Sequence, residues 1–111
     1  MKGDHIGEFE ELVLIAARGL GREAYGVSVQ QLLERETTRA VSLGAVYAAL
    51  DRLEQKGLVR STMTPGTSAR GGRSRRVFTV TADGARTLAA LQRIRDRLYR
   101  AGRARPQPAR S

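Results

Sequence analysis

The sequence predicts a mainly α chain with a small β-hairpin, and three observations lead there. Apolar residues recur at helical spacing in four separate stretches. Two short runs rich in β-branched and aromatic residues flank a connection of Gly, Pro, Ser and Thr, which is the pattern of two strands and a turn. The chain has 111 residues, 41% of them hydrophobic, which fits one compact domain able to build its own core.

From Glu8 to Leu20, the apolar residues Phe9, Leu12, Val13, Ala16 and Leu20 form one stripe, and Gly19 and Gly21 mark the end of this first helix. After a turn at Tyr25-Gly26, Val29, Leu32 and Leu33 define a second helix over about Val27 to Thr37, with Glu34 and Glu36 on its exterior. Thr38 to Val41 is a short polar connection. Ser42 follows where its hydroxyl can accept backbone N–H bonds and cap a third helix, Leu43 to about Lys56. That helix turns Leu43, Val46, Leu50 and Leu53 inward, and Gly57 supplies the left-handed residue that commonly ends a helix. Leu58 to Thr64 and Arg75 to Thr81 read as strands, joined by a mobile tip from Pro65 to Ser74. Thr81 can cap a fourth helix, with Asp83 placed to meet the positive end of its dipole.

Charge is unevenly distributed. The net charge is +9, yet Met1 to Thr64 holds 8 basic and 9 acidic residues, while Pro65 to Ser111 holds 12 basic and 2 acidic. All but Lys2 and Lys56 of the basic residues are arginines, whose planar fork suits phosphate oxygens and guanine edges. A polyanionic partner is expected.

Two short helices joined by a tight connection, followed by a hairpin, describe a winged helix-turn-helix, in which the second helix enters the major groove of double-stranded DNA. A helix seats deeply in that groove only if its outer face is slim; Gly44, Ala45 and Ala48 meet that demand, and Ser42 stands at the same end of the helix, toward the partner. The competing reading makes the same small residues helix filler, or a face packed on another helix. Tyr47 lies beside the apolar stripe, with its ring at the core edge and its hydroxyl in reach of a phosphate or base. Arg52 is a candidate phosphate ligand, although a pair with neighbouring residues explains it equally well. In the wing, Arg70, Arg73, Arg75 and Arg76 cluster around Gly71-Gly72, and no acidic residue lies between Met63 and Ala82 to neutralise them.

Leu88, Leu91, Ile94 and Leu98 form an apolar strip on the fourth helix, amid Arg93, Arg95, Arg97 and Arg100. A small core can cover only part of it, so a partner helix from a homodimer is expected to bury the rest, and a two-fold dimer implies an inverted-repeat operator. The alternative packs the strip wholly on the first helix. The expected organisation is thus a winged helix-turn-helix domain over 1–84, a dimerisation helix over 85–100 and a disordered basic tail over 101–111, where Pro, Arg and Ala lack an apolar period.

Catalysis finds no support. Cysteine is absent, which removes thiolate nucleophiles and thiolate metal sites. The single histidine, His5, has no accompanying nucleophile turn. Gly66 and Gly71 begin like a phosphate-binding loop, but Gly72 stands where its lysine must be. The acids are scattered, without metal-ligand spacing, and no cofactor is expected. The longest apolar run, Leu12 to Ala17, is too short for a bilayer, and the acidic first residues do not resemble a secretory leader, so a cytoplasmic protein without a membrane partner is expected.

The segments Phe9 to Ala17, Tyr25-Gly26, Val41 to Val59 and Arg75 to Gly84 resemble the PadR family of bacterial transcriptional regulators. The most diagnostic match is Ser42, Gly44, Val46, Tyr47, Leu50, Arg52, Leu53, Glu54, Gly57, Leu58 and Val59, each in place. The resemblance spans about Gly7 to Leu91. It implies a winged-helix homodimer that binds a palindromic operator, usually as a repressor, dimerising through the helix after the wing and often the first helix. Some members release DNA on binding a small molecule. Here only one helix follows the wing, as in the short subgroup, Trp is absent, and Phe78 and Tyr99 are the only aromatics of the C-terminal half, so no ligand is expected. An RNA-binding basic protein and a winged-helix protein-interaction module are the alternatives to a DNA-binding regulator.

Overall fold

The computed structural model describes residues 5–65 and 74–104. Along them run α1 (Glu8–Leu20), one 3₁₀ turn (Gly21–Glu23), α2 (Gly26–Thr37), α3 (Leu43–Gln55), strands β1 (Val59–Thr64) and β2 (Arg75–Val80), and α4 (Ala82–Ala104). The elements follow the expected order. One boundary moves substantially: α4 continues to Ala104, so the part of the expected tail from Ala101 to Ala104 is helical. Ala and Arg are strong helix formers that outweigh the single Gly102, and the stronger obstacle in the sequence is Pro106, which disfavours helical backbone at the residue before it.

Val13, Leu14, Val29, Val46, Leu50, Leu53 and Phe78 are the largest fully buried side chains, and they join α1, α2, α3 and β2 in one core. The buried face of α1 is wider than the expected stripe and is rotated from it. Leu14 and Ala17 are buried, Phe9, Leu12 and Leu20 only half so, and Ile15 is exposed. The reason is that α1 packs against α2, α3, α4 and β2 together, so no single-stripe rule describes it.

The α2–α3 connection is held from α2. The Glu34 carboxylate accepts the Val41 N–H at 3.0 Å, and the Gln30 side-chain amide donates to the Val41 carbonyl at 2.8 Å. Val41 itself is buried, although the connection reads as polar in the sequence. Thr38 caps α2 with φ of 55°, a left-handed conformation that costs a residue with a Cβ.

Gly57, with φ of 78°, turns the chain out of α3 into β1. β1 and β2 pair antiparallel, with Val59 opposite Val80 and Thr64 opposite Arg75. The far edge of β2 is also partnered: Phe78 N–H donates to the Ala24 carbonyl at 2.8 Å, and Tyr25 bridges Val77. The wing root is thereby fastened to the α1–α2 joint. Arg70 and Arg73 lie outside the described residues.

Thr81 caps α4 as expected, its Oγ1 accepting the Gly84 N–H at 3.0 Å. Gly84 is buried against the Leu58 carbonyl, where a Cβ would overlap the backbone. One turn on, Leu88 is 8% exposed and belongs to the chain's own core, which corrects its expected place in a dimer interface. Leu91 is half-buried, and only beyond it does the apolar strip emerge, with Ile94, Leu98 and Tyr99 exposed.

Candidate nucleic-acid interface

Helix α3 begins with Ser42 accepting the Ala45 N–H at 3.0 Å, so its first turn is closed by its own side chain. Ser42, Gly44, Ala45 and Ala48 are all exposed, while Val46, Ala49, Leu50 and Leu53 are buried on the opposite side. The helical repeat explains the division: residues four apart share a face, so Gly44, Ala48 and Arg52 form one ridge. Small side chains at its first two positions leave the helix backbone near the surface. The alternative of an alanine face packed on another helix does not describe this chain's own fold.

The ridge is bordered by charged pairs on both flanks. On one side, Arg52 Nε donates to Glu10 Oε2 at 2.6 Å, and Lys56 Nζ donates to Glu10 Oε1 at 2.8 Å. Arg52, expected to face phosphate or its own neighbours, is thus tied to α1, forty-two positions away in sequence. On the other side, Arg76 reaches back from β2 to Glu54 Oε1 at 3.0 Å and to Asp51 Oδ1 at 3.3 Å, with its guanidinium carbon 4.8 Å from the Phe78 ring centroid. Arg76 therefore joins the wing to α3, in contrast to the expected free wing cation. Arg75 points differently: it is exposed, and its guanidinium carbon lies 4.3 Å from the centre of the Tyr25 ring.

Tyr47 packs at the core edge, as its position beside the stripe suggests, 6.5 Å from the Phe78 ring. Its hydroxyl end lies against Gly26, at the start of α2, where a Cβ would collide with the ring. The residue is a joint between α2 and α3, and its hydroxyl is not on the Gly44–Ala48 ridge.

Three participants escape a reading of the sequence. Glu10 looks like a solvated acid and Glu54 stands in the family pattern without a role, and the partners of both are defined only in three dimensions. Arg39, in the α2–α3 connection, lies beside Ser42 and Ala45 at the start of α3, within 3.7 Å of Glu8 and half exposed.

Burial by itself would raise the Glu10 carboxyl pKa, but the hydrogen bonds and charges of Lys56 and Arg52 outweigh it and hold it below the ordinary value. For Glu54 the hydroxyl and backbone N–H of Ser61 are the main causes of a lowered pKa, with Arg76 adding to them. A carboxylate whose folded pKa is depressed contributes stability above its unfolded pKa and loses it as pH falls through the folded one. Glu10→Gln is accordingly expected to cost about 1–2 kcal/mol near neutral pH, less than a fully buried pair because Arg52 is half exposed. Urea unfolding at a series of pH values should show this difference shrinking below about pH 4.5; a difference independent of pH would refute the ion-pair account.

Among the described residues no cluster of potential metal ligands occurs, and no helix is long and apolar enough to cross a membrane. The family model for the transcriptional regulator PadR-like family matches residues 14–90. No curated protein matches the chain. Among solved structures, a PadR-like transcription factor from Bacteroides fragilis aligns with TM-score 0.69 and 24% identity, covering 86% of both chains. A PadR family transcription regulator from Clostridium difficile aligns with TM-score 0.69 and 22% identity over 86% of this chain and 94% of the other. One from Eggerthella lenta has TM-score 0.63 and 25% identity, over 85% of this chain and 81% of that one. The ordered helices, the wing on α3 and a family match running from α1 into α4 converge on one conclusion: the chain belongs to the PadR-like family of transcriptional regulators.

Proposed function

We propose that the protein is a sequence-specific regulator that binds double-stranded DNA as a homodimer on a palindromic operator and represses transcription. The observation that carries this reading is the slim exposed ridge of α3, with Ser42, Gly44, Ala45 and Ala48 free of the chain's own core. These residues enter the major groove. Arg75, together with Arg70 and Arg73 from the sequence between the strands, meets the sugar-phosphate backbone, and Arg39 holds a phosphate beside the start of α3. A chromosomal operator places the protein in the cytoplasm.

Dimerisation rests on α4. Ile94, Leu98 and Tyr99 are 44%, 66% and 69% exposed, on a stretch of helix past the apolar core, where Arg95 pairs with Glu11 of α1. Leaving three large apolar side chains in water on one stretch of helix forgoes their burial, and a second copy of the same helix, with the same strip, is the occupant of this face. In a two-fold dimer, two copies of α3 lie about 34 Å apart, one turn of DNA. Leu98→Glu is expected to convert the dimer to monomer in sedimentation at micromolar concentration and to weaken operator binding. A Leu98→Glu protein that sediments as the wild type does would exclude this interface.

Selection from a random duplex pool supplies the operator. The regulator reading requires at least about a thousandfold preference for the selected palindrome over unrelated duplex at fixed salt. Equal affinity for single-stranded RNA would favour an RNA-binding protein, and no nucleic-acid binding at low salt would favour a protein-interaction module.

A further inference from the structure

Glu54 occupies the flank of α3 that faces the wing, and its carboxylate is used by both strands. From β1, Ser61 donates its backbone N–H to Oε2 at 3.1 Å and its hydroxyl to the same oxygen at 2.9 Å. From β2, Arg76 donates to Oε1 at 3.0 Å, and the same guanidinium reaches Asp51, one turn back on α3. A single side chain of the reading helix therefore ties down both strands of the wing root.

The turn through Gly57 sets where the hairpin starts, and the bond from Phe78 to Ala24 fastens the root of β2 to the α1–α2 joint; the Glu54 contacts tie both strands to α3 itself. Charge-assisted hydrogen bonds with several donors fix distance and direction together, and so the attitude of the hairpin on that helix. The strap also works against simple electrostatics, because it places negative charge beside a surface that is proposed to meet phosphate.

We infer that Glu54 is a positioning residue that sets the angle between the reading helix and the wing, so that discrimination among DNA sequences depends on it while general attraction to DNA does not. This rests on the DNA-binding reading above. The wing and α3 must meet backbone and base edges of one duplex at the same time, and a misaimed wing forfeits the combined fit that only the operator rewards.

The test uses the full chain, the selected operator duplex and an unrelated duplex of equal length, with fluorescence anisotropy at one salt concentration and a thermal melt of each protein. Glu54→Ala is expected to weaken operator binding by about 10- to 100-fold while unrelated duplex binds as well as before or more tightly, since a negative charge has gone. Glu54→Gln, which keeps an acceptor for Ser61, should recover part of the operator affinity. Arg76→Leu releases the strap from its other end. It should lower the preference for operator as well, and add little when combined with Glu54→Ala. A role confined to charge predicts that both duplexes bind Glu54→Ala more tightly by the same factor, and a role confined to folding predicts that both are lost together with the melting transition. Either result, or an unchanged preference in both Glu54→Ala and Arg76→Leu, overturns the positioning role. Wild-type protein that prefers no duplex would instead remove the DNA-binding reading beneath it.

Discussion

Placing bulk or negative charge on the α3 ridge is expected to abolish operator recognition while leaving the fold intact. Ala48 is exposed, lies on the same face as Gly44, and sits midway along a helix capped at Ser42. In Ala48→Glu, a carboxylate meets the base edges and phosphates of the groove. In Ala48→Trp, an indole holds the backbone away without adding charge. Each should weaken operator binding by about 100-fold or more, on the order of 3 kcal/mol, because a displaced helix loses several base contacts at once, each worth roughly 1–3 kcal/mol. Stability should change by no more than about 0.5 kcal/mol, as is usual for an exposed site without partners. Anisotropy titrations and thermal melts on the same samples check both halves of the expectation. If both variants bind the operator as the wild type does, the ridge is not the reading surface.

The second large effect concerns folding. Gly84→Ala places a methyl group onto the Leu58 carbonyl and against the Val80 side chain. The Leu58 carbonyl already accepts the Thr81 N–H, and Thr81 caps α4 through the Gly84 N–H, so neither strand nor helix can withdraw without breaking the cap. Overpacking of this kind costs about 1–3 kcal/mol, and the rigid backbone partner puts the expectation at the upper end, a fall in Tm of roughly 10–20 °C for a domain of this size. Gly102→Ala is the internal control. It lies in the same helix with nothing near its Cβ position, and alanine there should be neutral or stabilising. Equal melting temperatures for Gly84→Ala and the wild type would show that the contact between α4 and the Leu58 backbone yields easily.

Much of this architecture is written in local chemistry. Ser42 and Thr81 announce their helices because a hydroxyl before an apolar period satisfies backbone donors that nothing else reaches. Gly57 marks the exit from α3 because a left-handed turn there disfavours any side chain. The slim ridge is equally legible, since Gly44, Ala45 and Ala48 fall opposite Val46, Leu50 and Leu53 by helical repeat alone.

The roles of the charged residues are another matter. In the sequence Arg76 looks like a free cation and Arg52 like a phosphate ligand or the partner of its near neighbours, yet Arg52 is tied to Glu10 on α1 and Arg76 to Asp51 and Glu54 on α3. Leu88 and Leu98 have the same spacing signal on α4, but the first closes this chain's core and the second stands in solvent. Periodicity states which residues share a face of a helix; it carries no information on how far a neighbouring helix extends along that face. The sequence by itself thus determined the elements, their caps and the small-residue face of α3. Only the tertiary structure decided which arginines are spoken for and where the apolar strip of α4 leaves the core, because ion pairs and packing are set by distances between segments that the chain order does not contain.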